Sequence, residues 1–178
     1  CGIRLNREYN TGITGTVIEG NVVGDGDYPW MAFLFYVSIT NGDTSFCGAT
    51  LISDIQLVTA AHCVRGKSTD EVAVLIGNQN AMYELKKKNF KYLYKIEIFP
   101  YYPNTEDGYK YIADVAVITL DDPLILNSKI NPICLPSISD TGKTYAGKTA
   151  TVAGWGKTET RKNSTEQLLK GEVPILSN

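Results

Sequence analysis

The sequence predicts an all-β protein, barrel or sandwich, and three observations carry that reading. Short runs rich in β-branched and aromatic residues recur along the chain at strand length. Clusters of Asn, Asp, Gly and Pro fall between them, where turns need those residues. No long stripe of apolar residues repeats at helical spacing.

Taken in order, FLFYVSIT (33–40) opens the series, mixing aromatic with β-branched residues, and NGD (41–43) follows as a hairpin turn. ATLISD (49–54) and EVAVLIG (71–77) are short apolar runs, and YLYKIEIF (92–99) is rich in Tyr, Ile and Phe. PNTEDG (103–108) breaks the chain before VAVITL (115–120), and SDTGK (139–143) breaks it again before ATVAGWG (150–156) and GEVPIL (171–176). Residues 1–16, CGIRLNREYNTGITGT, carry almost no apolar periodicity and need Cys1 to hold them to the rest. There is no internal repeat and no low-complexity segment.

Composition narrows the partners. The 178 residues are 43% apolar and 20% charged, enough to bury a core. A net charge of -2 with both signs interspersed gives no positive field for a phosphate backbone, so nucleic acid is not an expected partner. The longest nearly apolar run, Trp30 to Ile39, is about half of what a bilayer-spanning helix requires, so no membrane span is expected. The chain begins at Cys1 with no basic and apolar leader before it, which suggests an upstream segment that is removed or unrecorded.

Four cysteines, at 1, 47, 63 and 134, include no C-x-x-C pair, and the single histidine completes no usual zinc spacing with them; no metal or cofactor is expected. An even number at wide separations suggests two disulfides, hence an oxidising compartment and a secreted, extracellular protein. The sequon at Asn163 agrees with secretion. Cys134 is the natural anchor for Cys1, which leaves Cys47 for Cys63, although spacing alone permits three connectivities.

Several motifs, in the right order, resemble the chymotrypsin/trypsin family of serine endopeptidases. CGATLISDIQLVTAAHC (47–63) is similar to the family's cysteine-to-cysteine segment ending in the catalytic histidine, and DVAVITL (114–120) to the strand that begins with the catalytic aspartate. VIEGNVVGDGDYPW (17–30) resembles the mature amino terminus, and ICLP (133–136) and AGWG (153–156) match two further landmarks. The resemblance implies a trypsin-like double β-barrel, with the first barrel complete and the second only partly present. It implies a propeptide or light-chain-like segment over 1–16 and a truncated protease domain over 17–178, entering the second barrel at 137–178. Cys1–Cys134 would retain the N-terminal segment.

The chemistry explains why these residue types belong together. Imidazole, with an ordinary pKa of about 6.5, can take a proton from a weak hydroxyl nucleophile at neutral pH and return it to a leaving amine. It does so when an acceptor holds its other ring nitrogen in one tautomer. The resemblance assigns the first role to His62 and the second to Asp114; the family commonly has Asn where Ala113 stands. A lone histidine is ordinarily a core or surface residue, but VTAAHC places small alanines and a cysteine around this one.

The family's nucleophile lies in Gly-Asp-Ser-Gly-Gly, and no such motif occurs here, so these 178 residues alone are expected to be inactive. NGDTSF (41–46) reads as a turn, and Ser177 follows a strand-like run; neither is the missing serine. The expected function is a secreted serine-type endopeptidase acting on protein or peptide substrates, with protein inhibitors as further partners. At the expected activation site, Thr16–Val17, Thr stands where the family usually has Arg or Lys. This favours the alternative, a non-catalytic homologue acting as a secreted binding or regulatory protein. Tyr111 resembles a residue that walls the substrate cleft, with packing an equal reading. Lys86, Lys87 and Lys88 read as a solvated surface loop or a basic exosite, and the stretch after Asn78 lacks the carboxylates of the family's calcium loop.

Overall fold

The computed structural model describes residues 1–2, 21–37, 44–102, 113–156 and 166–177. The turns read at 41–43 and 103–108, together with Thr16, Val17, Tyr111 and Asn163, lie outside the described residues.

Nine strands and two short α-helices are described, besides two 3-10 turns: β1 (Asn21–Val22), β2 (Met31–Val37), β3 (Thr44–Leu51), β4 (Gln56–Thr59), α1 (Ala61–Val64), β5 (Val72–Ile76), α2 (Ala81–Lys87), β6 (Leu93–Ile98), β7 (Ala116–Leu120), β8 (Thr149–Gly154) and β9 (Leu169–Pro174). The all-β expectation holds. Six strands form one antiparallel sheet in the order β5-β2-β3-β4-β7-β6. Its two outer strands also meet: Val74 of β5 and Lys91, just before β6, exchange backbone hydrogen bonds of 2.9 and 2.8 Å. The sheet therefore closes on itself through this bridge.

Alternation along the strands fills this barrel. Leu34, Leu51, Leu57, Ile118 and Leu120 point inward and are buried together. Full burial of such side chains contributes roughly 1.5–3 kcal/mol each. β2 departs from simple alternation because both of its faces are covered. Leu34 and Tyr36 face the barrel interior, while Phe33 packs outward against Trp155, edge to face, with centroids 5.5 Å apart. That double burial is why MAFLFYV reads as a continuous apolar run.

The second sheet, in the order β1-β9-β8, is antiparallel and lies against the outer face of the barrel. Its attachment centres on the Gln79 carbonyl, which accepts from Trp155 Nε1 at 2.8 Å and from Leu168 N at 3.0 Å. A small second core of Val23, Phe33, Leu75, Ala81, Trp155 and Leu168 seals the contact.

Two disulfides brace the fold, Cys1–Cys134 and Cys47–Cys63. The lysine run is not a loop: Lys86 and Lys87 end α2, and Lys88 follows with φ 54. Cations in the last turn complement the helix's carbonyl end, and the left-handed Lys88 stops it.

Candidate active site

β4 and β7 are neighbours, with Thr59 opposite Ala116, so whatever follows Thr59 lies beside whatever precedes Ala116. That register sets the site. Ala60 is still extended, with φ -77 and ψ 141, and the chain then turns once through α1. Thr59 fixes the end of the strand by donating its buried hydroxyl to the Gly48 carbonyl at 2.9 Å. Ala61 is completely buried, which accounts for the small side chain beside the ring, and the disulfide from Cys63 to Cys47 ties the turn to β3.

Asp114 meets this turn from the other side. Its Oδ2 accepts from His62 Nδ1 at 2.7 Å, and its Oδ1 accepts from the His62 backbone N–H at 2.8 Å. One carboxylate thus holds both the side chain and the main chain of the same residue. Burial works to push the Asp114 carboxyl up, but the hydrogen bonds from the His62 ring and backbone, the ring's charge and the Ala61 backbone outweigh it. The result is held below the ordinary value for an aspartate. Asp114 is 17% exposed and His62 59%, so the orienting group is sheltered while the imidazole faces solvent. With Nδ1–H given to Asp114, Nε2 keeps its lone pair, 3.5 Å from Cys63 Sγ, and a free lone pair on that nitrogen is what a general base requires.

The chain enters Asp114 through an unusual conformation. Ala113 has φ 56, in the left-handed region, and Val115 N–H donates to its carbonyl at 2.7 Å across the turn. An Asn is tolerated there far better than an Ala, which gives a physical reason for the residue usual in the family. On the flank, the Arg65 guanidinium lies 6.0 Å from the centre of the Tyr102 ring, and Phe99 and Tyr101 make a tilted pair at 5.7 Å.

Among the described residues, Cys47, His62 and Cys63 form the one group of three ligand-type side chains with donor atoms within 4.8 Å of one another. The two sulfurs are bonded to each other and offer no thiolate, so the oxidised protein does not fit a metal there. A cleft between the barrel and the second sheet, lined by Asp25, Tyr28, Gln79, Lys129, Trp155 and Leu168, includes neither His62 nor Asp114. The grip on the His62 backbone was invisible in the sequence, because a main-chain donor has no residue signature.

Comparison with known proteins gives a consistent answer. The family model described as Trypsin matches residues 17–178. "Serine protease 7" of Drosophila melanogaster is 34% identical over 84% of this chain and 41% of its own length. "Phenoloxidase-activating factor 3" of Holotrichia diomphalia is 35% identical over 89% and 47%. "Coagulation factor IX" of Oryctolagus cuniculus is 30% identical over 90% and 55%. The chain therefore spans about half the length of these relatives. A solved structure described as "Structure of GrC" superposes with a TM-score of 0.73 at 24% identity, covering 90% of this chain and 66% of the other, and supports the same fold.

Proposed function

The chain belongs to the trypsin family of serine proteases, and on that premise we propose that it carries the base and orienting carboxylate of a secreted serine-type endopeptidase. The observation that supports this most directly is the double hold of Asp114 on His62, through Nδ1 and the backbone N–H. The nucleophilic serine is proposed to lie in the full-length protein beyond Asn178.

In the proposed reaction His62 Nε2 takes the serine hydroxyl proton as the oxygen attacks a peptide carbonyl. Asp114 stabilises the imidazolium that results. The proton passes to the leaving amine, an acyl-enzyme remains, and water repeats the sequence to release the acid. No metal or cofactor takes part. Cleavage at Thr16–Val17 would precede activity, and Cys1–Cys134 would keep the released segment attached. Protein or peptide substrates and protein inhibitors are the proposed partners. Among the described residues no helix is long and apolar enough to cross a membrane.

The test is covalent labelling of the full-length protein, cut at Thr16–Val17, with a fluorophosphonate probe. Rapid labelling that His62→Ala suppresses by about 100-fold or more is expected. Absence of labelling in the cleaved protein refutes the endopeptidase. Thr16, in place of a basic residue, favours a second reading as a non-catalytic binding or regulatory protein, and that negative result would support it.

A further inference from the structure

Cys47, His62 and Cys63 match no metal-binding spacing in the sequence, yet the fold gathers their donor atoms into one small volume. The geometry points to a latent metal site: reduction of the Cys47–Cys63 disulfide converts these three side chains into a zinc(II) site, with water as fourth ligand.

The first support is distance. Zinc bonds of about 2.3 Å to sulfur and 2.0 Å to nitrogen, set at a tetrahedral angle, put the two ligand atoms about 3.5 Å apart. Cys63 Sγ and His62 Nε2 are 3.5 Å apart. The Cys47 and Cys63 Cα atoms are 6.2 Å apart, a span across which two thiolates can separate to about 3.8 Å, as tetrahedral zinc requires.

Orientation is the second support. Zinc-binding histidines present one nitrogen to the metal and donate the other N–H to a carboxylate or carbonyl, which fixes the ring. His62 already does this, with Nδ1 on Asp114 at 2.7 Å and Nε2 turned toward the sulfur. Access is the third. Cys63 is only 6% exposed and Cys47 partly buried, whereas the imidazole is open to solvent, so water and metal can enter past the ring.

The chemistry balances with a dithiol as reductant. The dithiol gives two electrons and becomes a cyclic disulfide, and its two protons pass to Cys47 and Cys63. Zinc(II) then displaces both thiol protons to solvent, and two thiolates with a neutral imidazole make the site uncharged overall. The metal would occupy Nε2 and remove the proton acceptor. That last consequence rests on the proposed protease activity; the binding itself does not.

Cobalt(II) serves as the probe. The full chain is reduced anaerobically with a phosphine, freed of reductant and titrated. One cobalt per chain is expected, with tetrahedral d–d bands and thiolate-to-metal charge-transfer absorption, both lost on adding zinc; the oxidised protein shows neither. His62→Ala and Asp114→Asn should each weaken binding by roughly 10-fold or more. A Cys1→Ser/Cys134→Ser double variant should bind like the parent. Unchanged affinity in His62→Ala, loss of binding in the double variant, or no charge-transfer band overturns the proposal. So does loss of β-sheet circular dichroism on reduction, because the site exists only in the folded barrel. These readouts stand apart from fluorophosphonate labelling, so the metal site and the endopeptidase can fail separately.

Discussion

Replacing Ala113 by Asn should stabilise the protein. Ala113 holds φ 56 immediately before Asp114, and an ordinary L-residue pays roughly 1–2 kcal/mol for that left-handed conformation. Asn adopts it at lower cost, because its short polar side chain bonds to the local backbone. Ala113 is partly exposed. The expected gain is about 1 kcal/mol, equivalent to a rise in Tm of roughly 2–4 °C for a chain of this size. Thermal and urea denaturation of parent and variant measure it. Ala113→Val supplies the opposing case, since a β-branched residue at positive φ should lose about 1 kcal/mol or more. If Asn brings no gain and Val no loss, the turn into Asp114 is not left-handed and the strain argument is wrong.

Two further outcomes follow from the site and its surroundings. The folded Asp114 carboxyl lies below its unfolded value of about 3.9, so the unfolded chain takes up a proton first as pH falls. The stability advantage of the parent over Asp114→Asn should therefore shrink in urea titrations as pH falls from about 5 to below about 4; an advantage that widens over that window contradicts the assignment. Trp155→Phe removes the donor to Gln79 O but leaves that carbonyl bonded to Leu168 N, so the loss should stay near 1 kcal/mol plus a small packing term. A cost above about 4 kcal/mol in the same assay would show that the contact between the sheets depends on more than this bond and ring.

The strands legible in the sequence were those whose packing leaves a pattern. VAVITL and EVAVLIG send Ala116, Ile118 and Leu120, and Val72, Val74 and Ile76, into the barrel, and their runs match β7 and β5 to within a residue. β4 leaves no separate mark in the sequence because QLVT is four residues long and runs into the histidine motif, although it is the strand that delivers His62. α2 escaped because seven residues ending in lysines are too few to show a helical period. At the site, His62 and Asp114 were found through family resemblance. No local rule joins residues 52 positions apart; the β4–β7 register does. Ala113 departs from the Asn usual in the family, but only its backbone angle gives that departure a physical meaning.

That long separation also bears on timing. During vectorial synthesis the imidazole leaves the ribosome well ahead of the carboxylate that aligns it, and the two meet only after a large loop has closed. A half-made polypeptide consequently carries an unaligned imidazole, and the His62–Asp114 pair becomes a late product of maturation.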